Sequence, residues 1–160
     1  RIIYSQRPDV TFGFNNTFNY KGFDLSVFLY ARLGQWIAYD YNTTYRINAL
    51  ENGGNVDYWT PENPTNAFPR PNKSKSYTQV TYYSTLKYED GSFFKIRDIT
   101  LGYTFKPELL KHLNLSRLRV YATAKNFFTF SKIDNYDPEQ GGSISFPMTK
   151  QLVFGLNVEF

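Results

Sequence analysis

The stretch Phe23-Asp24-Leu25-Ser26-Val27-Phe28-Leu29-Tyr30-Ala31-Arg32-Leu33 decides the fold, because every second residue in it is apolar. Strict alternation is the period of a β-strand that buries one face. It predicts a strand over residues 23–33, longer than the roughly 5–6 residues typical of globular proteins. The apolar face is formed by Phe23, Leu25, Val27, Leu29, Ala31 and Leu33.

Four further segments repeat this alternation and predict strands over residues 9–20, 92–105, 117–131 and 149–160. The first of them has one apolar face, interrupted only at Asn16. All five predicted strands reach the ~9–11 residues that a tilted strand needs to cross a bilayer. The sequence therefore predicts an all-β chain with membrane-spanning strands.

The connections between these strands alternate in length. Lys21-Gly22 and residues 106–114 are short, whereas residues 34–91 and 132–148 are long and rich in Gly, Pro and Asn. In an antiparallel meander, the short connections share one rim and the long ones share the other. Outer-membrane barrels have this asymmetry, with short periplasmic turns and long extracellular loops. We expect 34–91 to be a long irregular extracellular loop with a short helix at 45–51.

Aromatic residues collect near both predicted rims, as in the aromatic girdles of membrane barrels. The set expected at the short-turn rim is Tyr20, Phe23, Tyr103, Phe105 and Phe160. The set expected at the long-loop rim is Phe93, Phe94, Phe127, Phe128 and Phe130.

Composition limits the remaining functions. The chain has no Cys, which excludes disulfides and thiolate chemistry. The net charge of +4 is scattered, so a nucleic-acid partner is not expected. The mean hydropathy of −0.49 is compatible with a barrel, because only alternate strand residues face lipid. His112 is the only histidine, and the sequence indicates no catalytic triad or metal cluster, so we expect neither an enzyme nor a cofactor.

Five strands are too few to close a membrane barrel, so we expect the plug and the other strands to lie upstream of residue 1. Two alternatives stay open. The chain could belong to a passive or adhesive outer-membrane barrel, or it could be a soluble β-sandwich that binds or hydrolyses glycans, with its apolar faces packed on a second sheet.

Several segments, in this order, resemble the SusC/RagA-type TonB-dependent outer-membrane transporters. The region from Ala38 to Tyr88 matches least. The segments that carry the resemblance are residues 20–26 (Tyr-Lys-Gly-Phe-Asp-Leu-Ser), 90–103, 118–121 (Leu-Arg-Val-Tyr), 125–130 (Lys-Asn-Phe-Phe-Thr-Phe), 136–139 (Tyr-Asp-Pro-Glu) and 154–160 (Phe-Gly-Leu-Asn-Val-Glu-Phe).

The resemblance implies that residues 1–160 form the C-terminal part of a barrel of about 22 strands with a plugged lumen. It also implies a Gram-negative outer-membrane location, with extracellular loops and a periplasmic C-terminus. The implied partners are a SusD-like surface lipoprotein, TonB acting through the missing N-terminal region, the barrel-assembly machinery and the lipid bilayer. The implied cargo is an oligosaccharide or a peptide.

Candidate functional residues fall into three groups. Trp36, Tyr58, Trp59, Phe68 and Tyr136 are loop aromatics that could stack on cargo or pack the loops. Arg32, Asp98, Arg119 and Lys125 should face the lumen, where they line the path or pair with one another. Gly155, Leu156, Val158 and Phe160 resemble the C-terminal signal read by the barrel-assembly machinery.

Asp134, Asp137 and Glu139 beside Gly141-Gly142 suggest a turn. The EF-hand spacing is missing, so calcium is only the alternative reading of these acids.

Overall fold

The computed structural model describes residues 4–46, 53–74, 85–111 and 114–160. Five long strands form one antiparallel sheet in the order β1-β2-β5-β6-β7. Their bounds lie within two residues of the predicted ones, so the all-β prediction is confirmed. The strands are β1 Val10–Tyr20, β2 Phe23–Leu33, β5 Phe93–Thr104, β6 Arg117–Ser131 and β7 Gln151–Glu159.

The long region between β2 and β5 is more regular than predicted. β3 (Trp36–Ala38) pairs with β4 (Tyr88–Asp90), and the short helix α1 covers Asp40–Thr43. The pairing segments are short and far apart in sequence, so alternation cannot reveal them. The predicted helix at 45–51 is absent at Tyr45 and Arg46, and its remainder lies outside the described residues.

Short helical segments also occur in the two later connections. The turn between β5 and β6 contains a short helix, α2 (Pro107–Leu110), with proline at its start. The loop between β6 and β7 contains a 3₁₀ turn over Pro138–Gln140. No helix in the described part of the chain is long and apolar enough to cross a membrane.

Strand register aligns the apolar positions across the whole sheet. Phe18 pairs with Leu25, which pairs with Leu101; Leu101 pairs with Ala122, and Ala122 pairs with Phe154. The face stays solvent-exposed in the described residues. Relative exposure is 60% at Phe18, 52% at Leu101 and 73% at Phe154, so no protein layer covers it.

A register shift interrupts β5 at the same level against both of its neighbours. The pairing skips Arg97, between Ile96 and Asp98, on the β2 side and on the β6 side. On β6, Asn126 has a positive φ of 59° at this level. The irregularity changes which residues of β5 face each way, so Lys95 lies on the polar face before it and Asp98 lies there after it.

The short connections share one rim, as predicted. Lys21 and Gly22 have φ values of 48° and 89°, the left-handed pair that a two-residue hairpin turn needs. The Gly22 carbonyl accepts a hydrogen bond from the Thr104 amide of β5 at 2.8 Å. This bond fixes the turn between β1 and β2 against β5.

Aromatic rows occur at both ends of the apolar face. Tyr20, Phe23 and Tyr103 form one row at the short-turn rim, and Phe94 pairs with Phe130 near the other rim. The prediction that Phe93 belongs to the aromatic girdle at the long-loop rim was wrong. Its ring is 2% exposed and lies on the polar face, because residue 93 has the same orientation as Lys95. Phe127 also lies on that face, beside Thr129 and Asp137.

Candidate functional site

An ion pair on the polar face joins two strands that are not neighbours. Arg119 on β6 donates from Nε to Asp24 Oδ1 at 2.8 Å and from Nη2 to Asp24 Oδ2 at 2.6 Å. The pair passes over Gly102 of the intervening strand β5, where a Cβ atom would lie 2.5 Å from Arg119 Nη2. A side chain here would have to displace the ion pair, whose atoms occupy the space above Gly102. A two-point arginine–carboxylate contact of this kind is directional as well as strong.

The other predicted lumen residues lie on the same face. Lys125 Nζ is 4.0 Å from Asp98 Oδ1, and both side chains are more than one-third exposed. Arg32 donates from Nε to the Tyr30 hydroxyl at 2.7 Å. The four predicted residues therefore share one surface, and each has a partner from within the sheet.

The most buried charge of the face is one that sequence reasoning missed. Lys95 is completely buried, and its Nζ lies 2.7 Å from Asp137 Oδ2 and 2.8 Å from Glu139 Oε2. Arg97 adds a third contact, with its Nη1 3.1 Å from Glu139 Oε1. Burying a charge is tolerated only when it is paired and hydrogen-bonded, as it is here.

The acids that hold Lys95 come from the loop between β6 and β7. Asp137 caps the 3₁₀ turn by accepting a hydrogen bond from the Glu139 amide at 3.0 Å, and Pro138 is buried beneath it. Gly141 ends the turn with a φ of 68°. The segment Tyr136-Asp137-Pro138-Glu139 thus anchors this loop to the inner surface of the strands.

The two long loops pack on each other. Ile37 and Tyr39 from the first loop contact Ile133 from the second, and the Asp40 amide donates to the Gly142 carbonyl at 2.9 Å. A side chain at residue 142 would collide with the backbone of Ala38. The loops form a joined layer over the polar face at the long-loop rim.

The predicted loop aromatics are not gathered into one patch. Trp36 stacks on Tyr4 with ring centroids 4.2 Å apart, and Tyr136 packs 6.4 Å from Tyr41. Phe68 is 7% exposed and packs against Tyr45. Only two members of the set are exposed: Tyr58 and Trp59, each at 41%.

Residues of the predicted assembly signal lie on opposite faces of β7. Leu156, Val158 and Phe160 belong to the exposed apolar side, with Phe160 94% exposed. Gly155 lies on the other side, where the ring of Tyr121 covers it so closely that no Cβ atom would fit. Gly155 therefore has a packing role that the other three residues do not share.

Metal ligands are not grouped in the described residues: no three of their His, Asp and Glu side chains converge as a metal site would require. Asp137 and Glu139 bind the Lys95 ammonium group instead. His112 lies outside the described residues.

A sheet of long antiparallel strands with one continuous apolar face, aromatic rows at its ends and a charged opposite face is a segment of a transmembrane β-barrel.

Comparison with known proteins agrees with this class. TonB-dependent receptor P26 of Formosa agariphila is 30% identical over 99% of this chain. TonB-dependent receptor SusC of Bacteroides thetaiotaomicron is 30% identical over 100% of the chain. The structure of the RagAB peptide importer in its closed-closed state superposes over the whole chain with a TM-score of 0.79 and 28% identity. No family model matches the chain.

The chain belongs to the β-barrel of the SusC/RagA-type TonB-dependent outer-membrane transporters. It spans about 18% of the length of receptor P26, 16% of SusC and 18% of the RagAB chain.

Proposed function

We propose that this chain forms barrel wall and extracellular loops of an outer-membrane transporter that imports an oligosaccharide or a peptide in a TonB-dependent manner. The main support is the contrast between the two faces of the sheet. One face is apolar from β1 to β7 and exposed, as a lipid-facing surface requires. The other carries Lys95 and Arg119 in ion pairs, as a protein-filled lumen requires.

The proposal places the chain in the C-terminal part of a barrel of about 22 strands, with its plug outside this segment. Two observations support this placement. The chain covers only a small fraction of its relatives' length, and the segments that resemble the family occur in the family's order. The long loops would face the cell exterior and the Lys21-Gly22 turn would face the periplasm.

The proposed partners follow from the same relatives. A SusD-like surface lipoprotein would contact the long loops, TonB would act through a region outside this chain, and the assembly machinery would read Phe160 and its neighbours. Bound cargo would contact Tyr58 and Trp59, the predicted stacking residues that are exposed. The chain would act in transport and not as an enzyme, in keeping with relatives that are receptors and importers.

Two alternatives make different predictions. A passive or adhesive barrel would share the wall but would lack a plug and TonB coupling. A soluble β-sandwich would bury Leu25 and Phe154 under a second sheet, and nothing in the described residues packs on that face.

A denaturing gel of fractionated source cells, probed with an antibody to residues 151–160, tests the proposal. A transporter gives a band several times larger than 18.7 kDa in the outer-membrane fraction, and its mobility changes on boiling. A soluble band near 18.7 kDa without a heat shift would overturn the barrel and favour the sandwich.

A further inference from the structure

The apolar face of the sheet does not fix the register of β7 against β6. Side chains alternate between the faces of a strand, so a slip of one residue would turn every side chain of β7 to the wrong face. A slip of two residues keeps both faces. It would bring Leu152 opposite Ala122 in place of Phe154, which exchanges one apolar neighbour for another. The register must therefore be set on the polar face.

Ion pairing on the polar face contributes little to this register. The salt bridge between β6 and β7 joins Arg117 to Glu159, with Nη1 3.3 Å from Oε1. Both side chains are more than half exposed, and exposed pairs of this kind add little stability. A packing contact is the remaining candidate.

That contact is made by Tyr121, which pairs with Gly155 and lays its ring over the glycine. A Cβ atom at residue 155 would lie 2.1 Å from Tyr121 Cζ and 2.3 Å from its hydroxyl oxygen. Within β7, Gly155 is the one residue that is not exposed. The ring thus fills the place of the missing side chain, which we call the β7 gap.

The Asp24–Arg119 ion pair keeps the ring over the β7 gap. Tyr121 also pairs with Gly102 on β5, but the carboxylate of Asp24 and the guanidinium of Arg119 occupy the space above that glycine. Arg119 Cζ lies 4.9 Å from the centre of the Tyr121 ring, and two hydrogen bonds hold Arg119 on Asp24. The ion pair therefore closes the β5 side to the ring.

We propose that Tyr121 sets the register of β7, because its ring fits against β6 only where the β7 gap lies. A slip of two residues in either direction would place Val153 or Asn157 opposite Tyr121, and each carries a Cβ atom where the ring lies. Such a slip moves β7 about 7 Å along its axis. This assignment rests on the proposed function, because every strand of a closed barrel must pair in a fixed register.

The assignment separates Gly155 from the rest of the predicted assembly signal. Leu156, Val158 and Phe160 are exposed, whereas Gly155 lies beneath the Tyr121 ring. The signal then has two parts. The exposed apolar residues are available to the assembly machinery, and Gly155 with Tyr121 determines where β7 pairs.

Cysteine crosslinking in the full receptor measures this register. The segment has no native cysteine, so introduced pairs are specific once cysteines elsewhere in the receptor are removed. Ala122→Cys with Phe154→Cys reports the native register. Ala122→Cys with Leu152→Cys or Leu156→Cys reports a slip of two residues, because in the native register these Cα atoms are roughly 7–8 Å apart, too far for a disulfide. A variant that does not accumulate in the membrane is refolded in detergent before crosslinking.

Moving the β7 gap should move the strand. Val153→Gly combined with Gly155→Val places the glycine two residues earlier, so the Leu152 crosslink should replace the Phe154 crosslink. Tyr121→Ala should give crosslinks in both the native and the slipped registers, because no ring then selects between them.

Two variants serve as controls and should give the native crosslink alone. Tyr121→Phe keeps the ring. Phe28→Ala removes a ring from the same face that touches Gly13 at an ordinary distance, 3.7 Å from the place of a Cβ atom. A register change in either control would overturn the assignment.

The native crosslink alone in Tyr121→Ala, or in the variant with the moved glycine, would also overturn it. Those results in a receptor that still fractionates with the outer membrane and shifts on boiling would leave the proposed function standing. Loss of both properties in the native protein would instead reject the function.

Discussion

Lys95 Nζ lies 2.7 Å from Asp137 Oδ2, and this contact joins the middle strand of the sheet to a loop 42 residues further along the chain. The ammonium group is fully buried, and Glu139 supplies its second carboxylate. Removing one partner of such a cluster leaves an uncompensated charge in a poorly solvated position, which costs about 3–5 kcal/mol. The contact therefore controls whether the loop stays against the strands.

Lys95→Met should release the loop between β6 and β7. We expect faster hydrogen exchange and faster proteolysis across residues 132–148, while the strands stay intact. Combining Lys95→Met with Asp137→Asn and Glu139→Gln should recover much of the protection, because no buried charge is then left unpaired; Arg97, which also contacts Glu139, is partly exposed to water. Lys125→Met is the control, since its contact with Asp98 is 4.0 Å long and exposed. Equal loop release by both single variants would contradict the role of Lys95.

Gly102→Ala should destabilise the wall by about 1–3 kcal/mol, the usual cost of overpacking. The added methyl group would meet both members of the Asp24–Arg119 pair at 2.5 Å. The measurement is the temperature at which the barrel loses its heat-dependent gel shift. Gly13→Ala is the matched control, because its nearest neighbour is the Phe28 ring at 3.7 Å. A shift of equal size in both variants would show that a clash with the Asp24–Arg119 pair is not the cause of the destabilisation.

Val27→Arg should impair assembly, because Val27 lies near the middle of β2 on the apolar face. An arginine at the bilayer midplane costs about 2–4 kcal/mol in outer-membrane barrels. The level of heat-modifiable receptor in the outer membrane is the readout. Thr17→Arg, on the polar face of β1, should be tolerated. Normal assembly of the Val27→Arg variant would show that Val27 does not face the lipid.

The small β3–β4 sheet should weaken in acid through Asp90. Hydrogen bonds from Ser92 lower the pKa of Asp90, and partial burial opposes this lowering without cancelling it. The nearby Lys132 ammonium group lowers the pKa further, so it lies below its usual value. A depressed pKa gives stability above the unfolded-state pKa, about 3.9, and that stability is lost as pH falls through the folded value.

Asp90→Asn should therefore reduce protection of Trp36–Ala38 at neutral pH and match the native protein at low pH. Hydrogen exchange, corrected for the intrinsic pH dependence of amides, measures the difference. Because Lys132 is largely exposed, the effect should be small. A difference that does not change with pH would rule out the charge of Asp90 as its cause.

The alternation of apolar and polar residues predicted all five long strands. Each strand places its apolar residues on one face, and this pattern can be read locally in the sequence. It could not predict the pairing of Trp36–Ala38 with Tyr88–Asp90, where short segments meet across a long loop. Phe93 was misplaced because the irregularity at Arg97 reverses the orientation of β5, and no local signal marks it. Lys95 was missed because its partners lie far along the chain.

Among the site residues, alternation alone placed Arg119 and Asp98 on the polar face. The ion pair above Gly102 and the packing of the Tyr121 ring on Gly155 both depend on strand register. Strand register cannot be read from the residue order. The packing of Ile37 and Tyr39 against Ile133 depends on how the two loops meet. Neither kind of information is present in residue order alone.

Single cysteines at Ser26 and Val27 test the central claim most directly, because these neighbours lie on opposite faces of β2. The segment contains no native cysteine, so each label is specific once cysteines elsewhere in the receptor are removed. In intact outer membranes, a spin label at Val27 should be relaxed by a lipid-soluble agent, oxygen, and shielded from a water-soluble one. A label at Ser26 should show little response to oxygen dissolved in lipid. The same response at both positions, or burial of Val27 from both agents, would contradict a lipid-facing wall.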